Sequence, residues 1–211
     1  MGLTYLFSEP SLFLIWILAV IFGITIHEFS HALAGHLQGD RTAEQAGRLT
    51  LNPLAHVDYL GLILLILVGF GWGKPVPFNP YALRNKRFGP ALVGLAGPFA
   101  NLIAVIIFAF ALKLLWNQTE LGQGNLLLRF ILSLLQINLV LLLFNLIPIP
   151  PLDGSKLLYS FLPYSKNHII EFLERYGAIL LLVFIIVGGS LLQTVISFVY
   201  NFIIERIVLG I

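Results

Sequence analysis

The sequence predicts an all-α polytopic membrane protein with about four long transmembrane helices, and three observations carry that expectation. Of 211 residues, 58% are hydrophobic and 10% are charged, against about a quarter charged in an ordinary soluble domain. Mean hydropathy is +0.94. The apolar residues are gathered into runs long enough to cross a bilayer, which takes about 20 residues. Twelve Lys+Arg and ten Asp+Glu are too few to face water all round. The 13% aromatic content argues against disorder. Zero cysteines exclude disulfides, a thiol nucleophile and any Cys-ligated metal. A net charge of +2 gives no reason to expect nucleic acid as a partner.

The first span is expected over Leu12–Ala34, and its second half carries His27, Glu28 and His31. A signal peptide does not fit, because the n-region lacks Lys and Arg and the apolar run is too long. A polar interval follows, and then the short run Gly61–Trp72. At about a dozen residues it is too short to cross and reads as a re-entrant or half-membrane segment. The Pro-, Gly- and Lys/Arg-rich stretch 73–90 reads as a surface loop. Ala91–Trp116 is the second span, with Gly97-Pro98 set to kink it and admit a close neighbour. Phe130–Ile147 is the third, ending at Pro148. Gly177–Ile204 is the fourth and longer than one crossing needs, so Gly188-Gly189-Ser190 is expected to break this C-terminal helix. The whole of 1–211 reads as a single membrane-embedded domain, without an internal repeat.

Lys and Arg set the orientation. With Gly61–Trp72 re-entrant, the intervals 37–90 and 153–176 hold nine Lys and Arg, and 113–129 holds two, Lys113 and Arg129. The nine-residue side is expected to be cytoplasmic, in a multi-pass protein of the cell membrane. If the short run spans instead, the bias falls to seven against four.

Ionisable groups inside apolar segments are costly and mark function by default. His27-Glu28-Phe29-Ser30-His31 is H-E-x-x-H on an expected helix. Its i, i+4 spacing puts both imidazoles on one face, where they can share one tetrahedral zinc, and Glu28 can act as general base towards a water. A catalytic zinc takes a third protein ligand and keeps one position open. Among the acidic residues, Asp153 is the best candidate. It lies in Asn145–Gly154, N-L-I-P-I-P-P-L-D-G, whose prolines force irregular backbone directly after a span, and such backbone is tolerated only when buried or lining a wet cavity. Read alone, Asp-Gly is also an ordinary turn dipeptide.

HEFSH, AGPFAN and NLIPIPPLDG, in this order and in apolar surroundings, resemble the site-2 protease family of intramembrane zinc metalloproteases, in its compact prokaryotic branch without a PDZ or CBS domain. GRLTLNPLAHVD and GWGKPVPFNP extend the likeness to roughly residues 12–185. The resemblance implies one Zn²⁺ per chain held by His27, His31 and Asp153, with Glu28 as catalytic base. It also implies that Asn145 helps hold the substrate carbonyl or oxyanion. One departure is Tyr59 after Asp58, where that branch often has proline. His56 falls in a run that the resemblance places near the site, so it is a candidate for steadying the site or touching substrate. Asn101 is a candidate to orient a ligand, with helix packing around Gly97 as the blander role. His36 and His168 read as a non-ligand and a solvated loop residue.

The expected activity is metal-assisted hydrolysis of peptide bonds in or next to transmembrane segments of other membrane proteins, within the lipid bilayer. The alternative is a membrane metal-binding or transport protein using the same His/His/Asp cluster, although transport would favour polar residues along successive helices. A prenyl-protein type of H-E-x-x-H protease would take a downstream glutamate motif that Glu171 and Glu174 do not form. Oligomeric state is open.

Overall fold

A computed structural model describes residues 7–69, 71–118, 124–163 and 166–211, with backbone alone at 117–118. Within these the chain is helical and has no strands. The elements are α1 (Pro10–Leu37), a short α2 (Thr42–Gln45), a 3₁₀ turn (Pro53–Ala55), α3 (Tyr59–Val68), α4 (Gly89–Gln118), α5 (Leu126–Asn145), α6 (Gly154–Phe161) and α7 (Asn167–Phe202), continuing into a π-helical turn at Ile203–Leu209. Four of these helices, α1, α4, α5 and α7, are long and apolar enough to span a membrane.

Local chemistry sets the ends. Pro10 opens α1, where its missing N–H costs nothing. Asn125 caps α5 by accepting from Leu127 and Leu128 N–H. Asp58 caps α3 by accepting from Gly61 N–H at 2.8 Å. This puts Tyr59 at the first helical position, where proline is also well tolerated. The departure from the family pattern at Tyr59 therefore leaves the cap intact.

Helix α3 has 10 residues, about 15 Å of rise and half a hydrocarbon core. Gly69, in the left-handed region at φ 79°, ends it. The chain then returns beside it: a Cβ on Gly61 would run into the Trp72 carbonyl, and one on Gly71 into the Gly61 carbonyl. Entry and exit lie together, so this segment is re-entrant in form. Phe70, within it, lies outside the described residues.

Helices α1, α4 and α5 pack mutually. Lipid offers no hydrophobic drive for this, so close approach and polar bonds do the joining. Asn101 of α4 donates to the Gly23 carbonyl of α1 at 3.3 Å and to Asn138 Oδ1 of α5 at 2.8 Å. A Cβ on Gly23 would lie 2.9 Å from Leu141 of α5. An apolar core of Val105, Ala109 and Leu112 on α4, Leu128, Leu135, Leu139 and Leu142 on α5, and Ile203 and Val208 continues the contact. Helix α7 is mostly exposed along its apolar length. It meets the bundle through the π-helical turn, and at Gly177 its backbone rests on Pro150.

The expected break at Gly188-Gly189-Ser190 does not occur; α7 runs unbroken for 36 residues. Glycine inside a helix costs roughly 1 kcal/mol, whereas each backbone group left unpaired in hydrocarbon costs several. The irregularity falls instead at the π-helical end. Helix α7 also starts ten residues before the apolar run, so His168 lies exposed in its first turn rather than in a loop.

Candidate active site

The His27 and His31 rings project from one face of α1, with centroids 4.6 Å apart and planes at 89°. Both are buried, as is Asp153. His27 Nε2 stands 3.0 Å and His31 Nε2 3.1 Å from the same atom, Asp153 Oδ2. Asp153 arrives from the turn between α5 and α6, so one carboxylate oxygen, 126 residues along the chain from His27, meets the two imidazoles.

The outer ring nitrogens define the protons. His31 Nδ1 is 2.7 Å from the Val93 carbonyl, which can only accept, so Nδ1 carries the hydrogen. His27 Nδ1 is 2.6 Å from Asn101 Oδ1. The Asn101 amide nitrogen is spent on Gly23 and Asn138, so Oδ1 accepts there too. In the neutral rings each Nε2 is therefore a lone pair aimed at a carboxylate oxygen. Three acceptors meet with no proton between them, an arrangement that a cation relieves. Ligand atoms of tetrahedral zinc with bonds of about 2.0–2.1 Å lie roughly 3.3 Å apart, close to the observed spacing. The donor set, N₂O with each imidazole steadied from behind, suits zinc. This trio fits the metal that the sequence implied.

Two glycines make the approach possible. A Cβ on Gly97 of α4 would sit 2.6 Å from both imidazole rings, so α4 is the floor of the site. A Cβ on Gly154 would strike the Leu146 carbonyl and lie 2.6 Å from that of Ile147. The glycine after Asp153 thus lets α6 begin against the end of α5. The run is more than a turn.

Glu28 is half-buried beside this group, and its Oε2 accepts from Val76 N–H at 3.1 Å. The 71–79 stretch beside it has no helix and carries one bridge position, Gly73. Val57 and Gly73 form an antiparallel bridge, and Lys74 N–H donates to the His56 carbonyl at 2.8 Å. Arg48, also buried, donates its guanidinium to the Lys74 carbonyl. Burial pushes that guanidinium down from its ordinary value, and the Glu28 charge partly offsets this. The loop is tied to the end of α1 by Asp40, which accepts from Asn79 N–H at 2.6 Å and from Thr42. Burial alone would raise the Asp40 carboxyl; the Thr42 hydroxyl, then the Asn79 and Thr42 N–H groups, outweigh it and hold it below the usual range.

The remaining candidates divide. Asn101 is fully buried against His27 and also joins three helices, so both of its expected roles meet in one amide. His56 is fully buried, but its ring bonds the Thr50 carbonyl at 2.7 Å and makes no hydrogen bond to the trio. Asn145 donates one amide hydrogen to the Leu141 carbonyl at 3.0 Å and makes none to the trio either. Sequence reasoning missed the Val93 carbonyl, Asn138 and Lys156, whose ammonium lies 2.8 Å from Asp153 Oδ1. For Asn138, an amide inside an apolar span was a usable signal. For Lys156 the signal was a lysine three residues after a candidate ligand. The Val93 carbonyl had none.

The sequence profile of Peptidase family M50 matches residues 118–188. The chain is 38% identical over 182 residues to "Putative zinc metalloprotease YwhC" of Bacillus subtilis, covering 85% of this chain and 83% of that protein. It is 29% identical to "Putative zinc metalloprotease Rip2" of Mycolicibacterium smegmatis, over 85% of this chain and 69% of the relative. It is also 29% identical to "Putative zinc metalloprotease MJ0611" of Methanocaldococcus jannaschii, over 75% and 78%. No solved structure matches. With a buried His/His/Asp trio inside an apolar helical bundle and a relative matched along most of both chains, the chain belongs to peptidase family M50, the site-2 protease family of intramembrane zinc metalloproteases.

Proposed function

We propose that this protein, acting as one membrane-embedded protease domain, hydrolyses peptide bonds in or beside transmembrane segments of other membrane proteins. The observation that carries the reading is the convergence of His27 Nε2, His31 Nε2 and Asp153 Oδ2 within an apolar bundle. These three atoms would hold one zinc. When bound, zinc supplies Lewis-acid polarisation of a carbonyl and lowers the pKa of water towards about 7.

The residues do the rest. Asn101 and the Val93 carbonyl hold the hydrogen on Nδ1 of each imidazole and turn both Nε2 atoms inward. Glu28 takes the proton from the attacking water and passes it to the leaving amine. Asn145 has a second amide hydrogen beyond the one given to Leu141, and this would serve the oxyanion of the substrate carbonyl. A helical substrate hides its carbonyls in its own hydrogen bonds, so it must arrive extended. The 71–79 stretch, bridged to Val57 at Gly73 and bonded to Glu28 at Val76, would offer an edge for it to lie along. Replacing helix-breaking residues of a substrate with Leu should therefore slow its cleavage, and undiminished cleavage would remove the edge from the account. The basic loops support an active site that faces the cytoplasmic side of the cell membrane.

The deciding comparison is membrane proteomics of cells carrying wild type or Glu28→Gln. Substrates should accumulate uncut in the variant, while the purified variant keeps its metal, because the base is lost and no ligand is. Identical fragment profiles in the two membranes would reject a proteolytic role for Glu28.

A further inference from the structure

We propose that Lys156 is a positioning residue for the metal site: it occupies one oxygen of Asp153 and so commits the carboxylate to zinc through the other oxygen alone. The inference rests on the reading of Asp153 as the third ligand.

The two oxygens of Asp153 have separate partners. Oδ2 faces both imidazoles at 3.0 and 3.1 Å, and Oδ1 lies 2.8 Å from Lys156 Nζ. An exposed i, i+3 ion pair at a helix start would deserve little weight. This one differs because the acid is buried and already divided between two tasks. Three features hold the lysine in place. Asp153 sits at the N-cap position of α6, so Lys156 stands one turn on, above it. The lysine stem lies in the space left by Gly94 of α4, where a Cβ would come within 2.9 Å of Cδ and 3.1 Å of Cβ. The ammonium lies 5.4 Å from the centre of the Phe78 ring, on the same loop whose Val76 N–H meets Glu28. Lys156 also lines a cavity of about 490 Å³, with Lys86 and Arg87, and its side chain is partly exposed.

The consequences follow from coordination chemistry. A carboxylate with both oxygens free can take two positions on a metal. One with Oδ1 held takes one, which leaves the open position that a catalytic site needs. The positive charge behind the carboxylate also weakens it as a donor and leaves the metal a stronger Lewis acid. Lys156 reaches neither substrate nor metal, and it acts through Asp153.

The test uses the full chain in detergent, loaded with Co²⁺ for spectroscopy and Zn²⁺ for affinity and kinetics. Lys156→Met keeps the stem and removes the charge; Lys156→Arg keeps a charge; Asp153→Ala removes the ligand. Lys156→Met should bind zinc at least as tightly as wild type. Its Co²⁺ visible bands should fall to roughly half intensity as coordination rises. Its kcat should drop about tenfold with KM unchanged, and Lys156→Arg should restore both. Lys156→Leu, which likewise has no donor, replaces Met if the latter fails to fold, as judged by thermal melting. A wild-type Co²⁺ spectrum, or loss of metal, in a folded Met or Leu variant overturns the inference. If Asp153→Ala loses zinc in the same experiment, only the role of Lys156 has failed. If Asp153→Ala keeps zinc with a wild-type spectrum, the ligand assignment itself has failed.

Discussion

At Asn101 a single amide satisfies a ligand and fastens three helices. Replacing it with Leu strands the His27 Nδ1–H and the Asn138 carboxamide oxygen in a dry interior. Each such loss costs about 1–3 kcal/mol. Loss of an outer partner of a metal-bound histidine typically weakens metal binding 10–100-fold. We therefore expect Asn101→Leu to lower zinc affinity by about that range and to lower the melting temperature, as measured by chelator competition and thermal unfolding. An affinity equal to wild type would show that His27 is held by other means. Asp153 offers a graded comparison. Asp153→Ala should lose most zinc and all cleavage of a model transmembrane substrate. Asp153→Asn should keep more metal through its amide oxygen but little activity, since the negative charge is gone. Full zinc content and cleavage in Asp153→Ala would move the third ligand elsewhere.

Among the elements, α4 bears on the site through what it lacks. Gly97 leaves room for both imidazoles, and Pro98 beside it is carried inside a continuous helix. Gly97→Val should force the rings away from Asp153, at an overpacking cost of roughly 1–3 kcal/mol. The expected result is loss of zinc with helical content unchanged, read by metal analysis and circular dichroism; retained zinc would mean that α4 can shift away. The loop 73–88 depends on Asp40. A carboxyl held below its ordinary value stabilises the fold above its unfolded value, 3.8, and loses that contribution as pH falls through the folded value. Hydrogen exchange at Asn79 should therefore be slow in wild type at neutral pH and fast in Asp40→Asn. The two should converge as pH falls below 3.8. Equal exchange at neutral pH would show that Asp40 does not anchor the loop.

For the whole molecule, the re-entrant α3 fixes how the loops are shared between the two faces. The interval 73–88 and the start of α7 fall on one side, and Gly124 falls on the other. The absence of native cysteine makes this directly measurable. Arg84→Cys and Arg175→Cys should resist an impermeant maleimide added outside intact cells and react after lysis, whereas Gly124→Cys should react from outside. External labelling of Arg84→Cys would reverse the assigned orientation.

What the sequence determined by itself is whatever depends on neighbours along the chain. Span length, the i, i+4 pairing of His27 and His31, and the shortness of the Gly61–Trp72 run follow from composition and helical periodicity. Asp153 was legible because prolines and a carboxylate next to a span are too costly without a purpose. The tertiary structure decided what depends on chain segments far apart. Only the packing of α1 on α4 gives His31 the Val93 carbonyl, and only the joining of α1, α4 and α5 brings the Asn101 amide to both His27 and Asn138. The failed expectation at Gly188-Gly189-Ser190 has the same root. Local propensity allows a break there, but hydrocarbon leaves an opened helix no partner for its backbone, so the solvent overrules the residues.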